Sequence, residues 1–150
     1  MTAAEVQGAR LVLPLRQLVP RTLHLDQPVG TSLAGWVAAV RSTSEACLVL
    51  DANGRVAAMS HACGKVLDVD PVQAVGSLLV DLVLMVDFSV AGVPLTDPEH
   101  QCPPLRALRT GGMARALVRL RLGPGRLVTY DAVGVPLAGG AGALGFLVEV

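Results

Sequence analysis

The sequence predicts an α+β domain in which short helices lie on one face of a five-stranded antiparallel β-sheet, preceded by an amphipathic helix. Three observations predict it: two short strands follow the first helix, three or four short helices fill the middle, and the C-terminal part has the pattern of three strands. Helices placed between two blocks of antiparallel strands are typical of this class. The length of 150 residues, with 52% hydrophobic residues, supports one core in a single domain.

The N-terminal region divides into a leader and a helix. Residues 1–30 show no sustained period, and prolines interrupt their alternating runs. We interpret them as a weakly structured leader, or as a segment that covers a sheet face or a partner. Residues 31–43 predict an amphipathic helix capped by Thr31 or Ser32. Its apolar stripe either forms a seam with a second copy or a partner, or packs on the protein's own sheet; it consists of Leu33, Trp36, Val37 and Val40.

The predicted domain spans residues 44–150 and begins with a hairpin. An apolar run over 46–50 predicts a strand that is buried on both faces. The Asp-Ala-Asn-Gly sequence at 51–54 predicts a tight turn, because asparagine and glycine tolerate positive φ angles. Residues 55–59 then return as the second strand.

Short helices follow the hairpin. Ser60 and Asp70 are predicted caps, and Pro71 suits the first turn of a helix. The apolar run 78–86 suggests a further short helix, whereas proline and glycine predict a loop over 87–102.

The next predicted helix begins at Pro103-Pro104. Leu105 and Leu108 are expected to be its buried pair, and Gly111 is expected to end it.

The remaining residues predict three strands. In 114–122 the even positions are apolar, which is typical of a half-buried antiparallel strand. The opposite face carries a row that either binds an anion or acidic partner or is simply solvated, and consists of Arg115, Arg119 and Arg121. Residues 127–137 and 144–150 predict the last two strands.

Several phrases along the chain resemble the PAS domain family. Residues 47–56 look like the first hairpin of that family, and Asp70-Pro71 through Gly76 resembles a phrase from its middle. Residues 104–111 resemble its last helix, and 133–148 its closing strands. The resemblance implies a five-stranded antiparallel sheet, a pocket between sheet and helices, and a first helix on the outer sheet face or on a partner. Ser60 departs from the family pattern, which often has asparagine there to tie the sheet to the first helix.

The implied pocket gives a set of candidate ligand-contacting residues, namely His100, Leu105, Leu108, Val118, Tyr130 and Phe146. The spacing of His100, Arg106 and Gly111 resembles haem-binding PAS sensors, although their downstream basic-aliphatic phrase is absent. The resemblance does not extend to the flavin-binding branch of the family, which has a Cys-Arg phrase on a mid-domain helix, because residues 78–86 contain no cysteine. Flavin is therefore not expected. The cofactor therefore stays open between haem, another small ligand and none.

Two His-x-Cys pairs offer metal or thiol chemistry, at 61–63 and 100–102. No metal site is expected, because the usual zinc signature is Cys-x-x-Cys. Cys63 and Cys102 lie near predicted helix N-termini, which lower thiol pKa values, so a redox role is an alternative.

Charge and motifs exclude several function classes. Twelve basic residues balance twelve acidic ones, so nucleic-acid binding is not expected. No apolar run is long enough for a membrane span, and three cysteines suit a reducing cytosol. The chain has no nucleophile elbow, phosphate loop or metalloprotease motif.

We therefore expect a cytoplasmic, non-enzymatic sensory module that forms homodimers or docks another signalling protein. A haem or small-molecule sensor and a thiol-based redox protein are the alternatives. The last strand ends at Val150, so the chain is expected either to act on an output domain in trans or to be a fragment of a longer protein.

Overall fold

The computed structural model describes residues 32–150, and the predicted leader, 1–30, lies outside the described residues. The elements follow the expected order of a helix, two strands, short helices and three C-terminal strands, with one additional strand and one additional short helix in the middle. The elements are α1 (Leu33–Ser42), β1 (Cys47–Asp51), β2 (Val56–Met59), α2 (His61–Leu67), α3 (Pro71–Ala74), α4 (Leu79–Leu82), β3 (Leu84–Val86), α5 (Pro98–Gln101), α6 (Pro103–Thr110), β4 (Ala114–Leu122), β5 (Arg126–Pro136) and β6 (Gly142–Glu149).

The strands form one antiparallel sheet in the order β2-β1-β6-β5-β4-β3, so the predicted fold class is confirmed. The sheet has six strands rather than the predicted five. The additional strand is β3, which lies in the run 78–86 that was predicted to be helical throughout. Only Leu79–Leu82 is helical there, because Leu84–Val86 pairs with Arg119–Arg121 of β4. A short apolar run does not by itself distinguish a helix from a strand that finds a distant partner.

Two apolar layers flank the sheet. The inner layer lies between the sheet and the short helices and includes Leu50, Met85 and Tyr130. The outer layer lies between the sheet and α1, where Trp36 and Val40 are buried among strand residues. Leu33 and Val37, the rest of the predicted stripe, are half-buried against the same layer. The stripe of α1 therefore packs on the protein's own sheet.

Ser60 joins the hairpin to the first of the short helices. Its hydroxyl caps α2 by accepting the N–H of Cys63 at 3.1 Å, as the sequence predicts. The same hydroxyl also accepts the N–H of Cys47 on β1 at 3.0 Å and donates to the carbonyl of Glu45 at 2.7 Å. Serine thus ties the sheet to the helix at the position where the PAS resemblance leads one to expect asparagine.

Helix α6 lies on a pair of glycines. Gly134 of β5 and Gly145 of β6 are directly opposite each other across the sheet. A Cβ atom on Gly134 would come within 2.6 Å of the Pro104 nitrogen, and one on Gly145 within 2.7 Å of the Pro104 Cγ. The missing side chains therefore let the first turn of the helix rest against the strand backbones.

The contact of α6 with these two glycines changes which of its residues are buried. Leu105 and Leu108 were predicted to be its buried pair, but they are only half-buried and their side chains lie over the hairpin turn at Gly54. Pro103, Pro104 and Ala107 are buried instead, because the prolines face the glycine pair. The predicted end of the helix is confirmed, since Gly111 adopts a left-handed conformation with φ of 75°.

The segment that was predicted to be a loop contains the one-turn helix α5, which Asp97 caps. Of the helices in the described residues, none is long and apolar enough to cross a membrane.

Candidate functional site

A small apolar cavity lies between the sheet and the helices, where the PAS resemblance places a pocket. Its volume is about 40 Å³. The short helix α4 and the start of α6 face strands β1, β3, β4 and β6 across it. Its lining is apolar throughout and consists of Leu48, Leu67, Leu79, Val80, Val83, Met85, Cys102, Pro103, Pro104, Val118, Leu120, Ala132, Gly145, Phe146 and Leu147.

Two of the six predicted pocket residues line this cavity. Val118 does so from the inner face of β4. Phe146 contributes from β6, although its side chain belongs to the outer layer with Trp36. Tyr130 is buried in the inner layer, and its hydroxyl donates to the carbonyl of Val66 at 2.9 Å. It therefore fills the core instead of facing the space.

The other three predicted pocket residues lie away from the cavity. Leu105 and Leu108 cover the hairpin turn, as described above. The His100 side chain is 60% exposed, and its Nδ1 lies 2.5 Å from a carboxylate oxygen of Asp97. Four of the lining residues that sequence reasoning missed come from the run 78–86, whose apolar character was the available signal.

The residues present do not fit haem. Sites for cofactors occupy roughly 300–1,000 Å³, whereas about 40 Å³ has room for a few water molecules. His100, the candidate iron ligand, points its imidazole at Asp97 and solvent. Iron held by this side chain would lie outside the pocket.

Both thiols of the alternative redox role are buried. Cys63 and Cys102 lie near helix N-termini, a position that lowers thiol pKa values. Burial instead raises the pKa of Cys63 to about 12 and that of Cys102 to about 11. Burial also raises the pKa of Cys47 to about 12. Desolvation of the thiolate outweighs the influence of these short helices, so the thiols are poor nucleophiles at neutral pH.

The two His-x-Cys pairs do not combine into a metal site. Within residues 32–150, no group of three or more histidine, cysteine or acidic side chains is placed to hold a metal ion.

The outer face of the sheet is covered only in part. Helix α1 packs over the side formed by β1 and β2, and the strands beyond carry a row of three residues that pair across the sheet. This row consists of Val148 on β6, Asp131 on β5 and Leu117 on β4. Leu117 is 56% exposed and Val148 is 51% exposed. We call these three residues, together with Thr129 beside them, the open outer patch.

The charged side chains around this patch are all engaged by partners within the protein. Arg115 forms two parallel hydrogen bonds to the Asp131 carboxylate, at 2.9 and 2.6 Å. These bonds raise the pKa of Arg115 further. Arg119 donates to the carbonyls of Asp87 and Ser89.

Arg121 completes the row by donating to the carbonyls of Ala91 and Gly92. Two of the three arginines therefore hold the segment after β3, and the third pairs with an aspartate, so the row is neither a free anion site nor merely solvated.

Comparison with solved structures identifies the fold. The PAS domain of a protein from Colwellia psychrerythraea superimposes with a TM-score of 0.55 and 21% identity, over 79% of this chain and 96% of that one. The PAS domain of an HTR-like protein from Haloarcula marismortui gives 0.52 and 13%, over 78% and 90%. The PAS domain of BvgS from Bordetella pertussis gives 0.51 and 15%, over 79% and 84%. The chain has the PAS fold. No protein-family model and no curated protein sequence matches it.

The PAS fold accounts for the arrangement of the candidate sites. The cavity lies on the helical side of the sheet, and α1 with the open outer patch lies on the other side.

Proposed function

We propose that this chain is a non-enzymatic PAS module of signal transduction that acts as a cytoplasmic homodimer through its outer sheet face. The observation that carries the proposal is the open outer patch beside α1. An exposed leucine and valine lie there on a sheet row whose aspartate, Asp131, is paired with Arg115. An apolar row beside a balanced ion pair suits contact with a second copy of the chain, because burying it leaves neither Arg115 nor Asp131 without its partner.

Helix α1 lies at the edge of this contact and contributes only its partly exposed residues. Trp36 and Val40 are already buried against the sheet, so they are not available as the main seam. Leu33 and Val37 retain some exposure and would extend the apolar surface beyond the patch.

Analytical ultracentrifugation of two matched variants tests the proposal. Val148→Glu adds a charge at the patch, and Val72→Glu adds the same charge at a residue of α3 that is 82% exposed. We expect the unaltered protein and Val72→Glu to sediment as dimers, and Val148→Glu to sediment as a monomer with an unchanged circular dichroism spectrum. A monomeric unaltered protein at tens of micromolar, or equal behaviour of both variants, would contradict the proposal.

A sensor of a small apolar molecule is the second candidate, and the apolar lining of the cavity favours it. Haem is not proposed, for the reasons of size and geometry given above. Native mass spectrometry of protein purified under mild conditions distinguishes the candidates. Extra mass that is lost on denaturation would support a bound ligand, whereas the bare chain mass in every native charge state would contradict the small-molecule sensor.

A further inference from the structure

We infer that the free edge of β4, over residues 114–118, binds an extended peptide that carries an acidic side chain. The edge is free because β3 is much shorter than its neighbour. β4 pairs with β5 along all of Ala114–Leu122, but β3 pairs only with 119–121. Along 114–118, alternate backbone N–H and C=O groups point away from β5 and have no strand partner within residues 32–150.

Hydrogen bonds in the segment that follows β3 turn the chain away from this edge. Directly after β3, the carboxylate of Asp87 accepts the N–H of Ser89 and the N–H of Val93, both at 3.0 Å, and closes a turn. Arg119 donates to the carbonyls of Asp87 and Ser89 and so holds the departing turn. The line that β3 would have followed along β4 is therefore left open.

A groove of about 230 Å³ occupies that line. Residues 116–119 of β4 form one side, and the end of β3 with Phe88 forms another. Phe88 is 59% exposed, which places an aromatic surface where an added strand would need an apolar contact. A peptide there would continue β3 antiparallel to β4, with backbone hydrogen bonds for affinity and alternate side chains for selectivity.

Charge decides which occupant fits. Arg106 of α6 lines the groove and is exposed, and its guanidinium has no partner among the described residues. The Asp87 carboxylate, also on the groove, is engaged by its own turn, and its pKa is lowered chiefly by the Ser89 hydroxyl. An acidic side chain on the peptide would therefore meet a free cation.

Two other occupants suit this edge less well. If the β4 edges of two copies paired antiparallel about Leu117, Arg115 of each would face Arg119 of the other, and like charges directly opposite are destabilising. The chain's own residues 1–31 carry three arginines against Glu5 and Asp26, and Pro14 interrupts their leucine-rich run. A cationic, proline-containing segment matches neither Arg106 nor a continuous hydrogen-bonded ladder.

The test is a nuclear magnetic resonance titration of the full chain, labelled with ¹⁵N. The probe is a capped eight-residue peptide that alternates valine and threonine and carries two central glutamates. We expect saturable shifts centred on residues 114–119 and 106, with slowed hydrogen exchange of alternate amides in 114–118. The same peptide N-methylated at alternate residues should lose binding at least tenfold, because it cannot complete the ladder.

Matched charge variants complete the test. Arg106→Glu should weaken binding of the glutamate peptide at least fivefold and should favour a lysine version of it. Arg126→Glu, an exposed arginine at the start of β5, should change neither. No saturable shift at 2 mM peptide, or shifts centred elsewhere, would overturn the inference. Slow hydrogen exchange of these amides in the protein without peptide would also overturn it. If this protection is unchanged on dilution, the chain's own segment occupies the edge; if it is lost on dilution, a second copy does. The outcome is separate from the proposed dimer, which uses the sheet face and is tested by Val148→Glu.

Discussion

Ser60 and Cys47 are joined by two hydrogen bonds that run in opposite directions between the end of β2 and the start of β1. The Cys47 N–H donates to the Ser60 hydroxyl at 3.0 Å, and the Ser60 N–H donates to the Cys47 carbonyl at 2.9 Å. Ser60 is fully buried, and its hydroxyl also serves α2 and Glu45. One small polar side chain thus holds the hairpin, the linker before it and the helix after it.

Replacing this serine with alanine should be costly. Ser60→Ala leaves the N–H groups of Cys47 and Cys63 without their hydroxyl partner in a buried place, and it removes the bond to the Glu45 carbonyl. We therefore expect a loss of about 3 kcal/mol in the free energy of unfolding. Ser32→Ala is the matched control, because Ser32 caps only the exposed start of α1 and should cost about 1 kcal/mol. Urea denaturation measures both. Equal losses would show that the bonds to β1 add nothing to the helix cap.

The close contact between α6 and the glycines Gly134 and Gly145 gives a second prediction. Gly134→Ala places a methyl group against the backbone of Pro103 and Pro104, so the helix must move away from the sheet. We expect a loss of about 3 kcal/mol or more, since backbone atoms cannot rearrange around the new carbon as a side chain can. Gly112→Ala, just after the helix, meets no atom nearer than 3.9 Å and should change stability by less than about 1 kcal/mol. Thermal unfolding compares the two variants, and similar melting temperatures would contradict the claim that α6 packs directly on the strand backbone at Gly134.

The Tyr130 hydroxyl links β5 to the last turn of α2 through the Val66 carbonyl. Tyr130→Phe keeps the ring in the inner layer and removes only this bond, so we expect a loss of about 1 kcal/mol. Hydrogen exchange should also quicken in α2 more than in β4 or β5, because the helix loses its tie to the sheet. Unchanged exchange in α2 would count against this link.

The buried thiols predict how stability depends on pH. The pKa of Cys63 rises from its ordinary value of 9.0 to about 12 in the folded protein. The unfolded chain therefore releases this proton near pH 9 while the folded chain keeps it. The contribution is fully present below pH 9 and is lost as the pH rises toward 12. Each such thiol should lower the free energy of unfolding by about 1.4 kcal/mol per pH unit in that window.

Denaturation at several pH values between 7 and 10.5 measures this slope. Cys63→Ala should show a shallower decline above pH 9 than the unaltered protein, whereas His61→Ala, at an exposed position in the same helix, should not. Identical slopes in all three proteins would contradict a buried, protonated thiol.

Local rules predicted much of this fold. The caps at Ser60 and Asp70, the end of α6 at Gly111 and the tight turn before β2 depend on a few neighbouring residues, and each was visible in the sequence. β3 was missed because its three residues are a strand only through pairing with β4, some 35 positions later. The orientation of α6 was missed for a similar reason, since Gly134 and Gly145 decide which of its side chains are buried.

The candidate site was harder to predict than the fold. Val118 lines the cavity because strand alternation gives its face, and that pattern was readable. His100 lies outside because Pro98 and Pro103 place it in a separate one-turn helix, where it pairs with Asp97. The volume of a cavity is a small difference between large packed volumes, so no pattern of residue types indicates it.

The central claim is that two copies meet through the open outer patch, and a distance between the copies tests it most directly. Val150→Cys places one reactive thiol at the rim of the patch, while the native thiols are buried. With a spin label there, double electron–electron resonance should give a distance between copies within roughly 25 Å, since facing sheets pack about 10 Å apart. The same label at Val72→Cys should give a clearly longer distance. No dipolar modulation, or a shorter distance at Val72, would contradict the account.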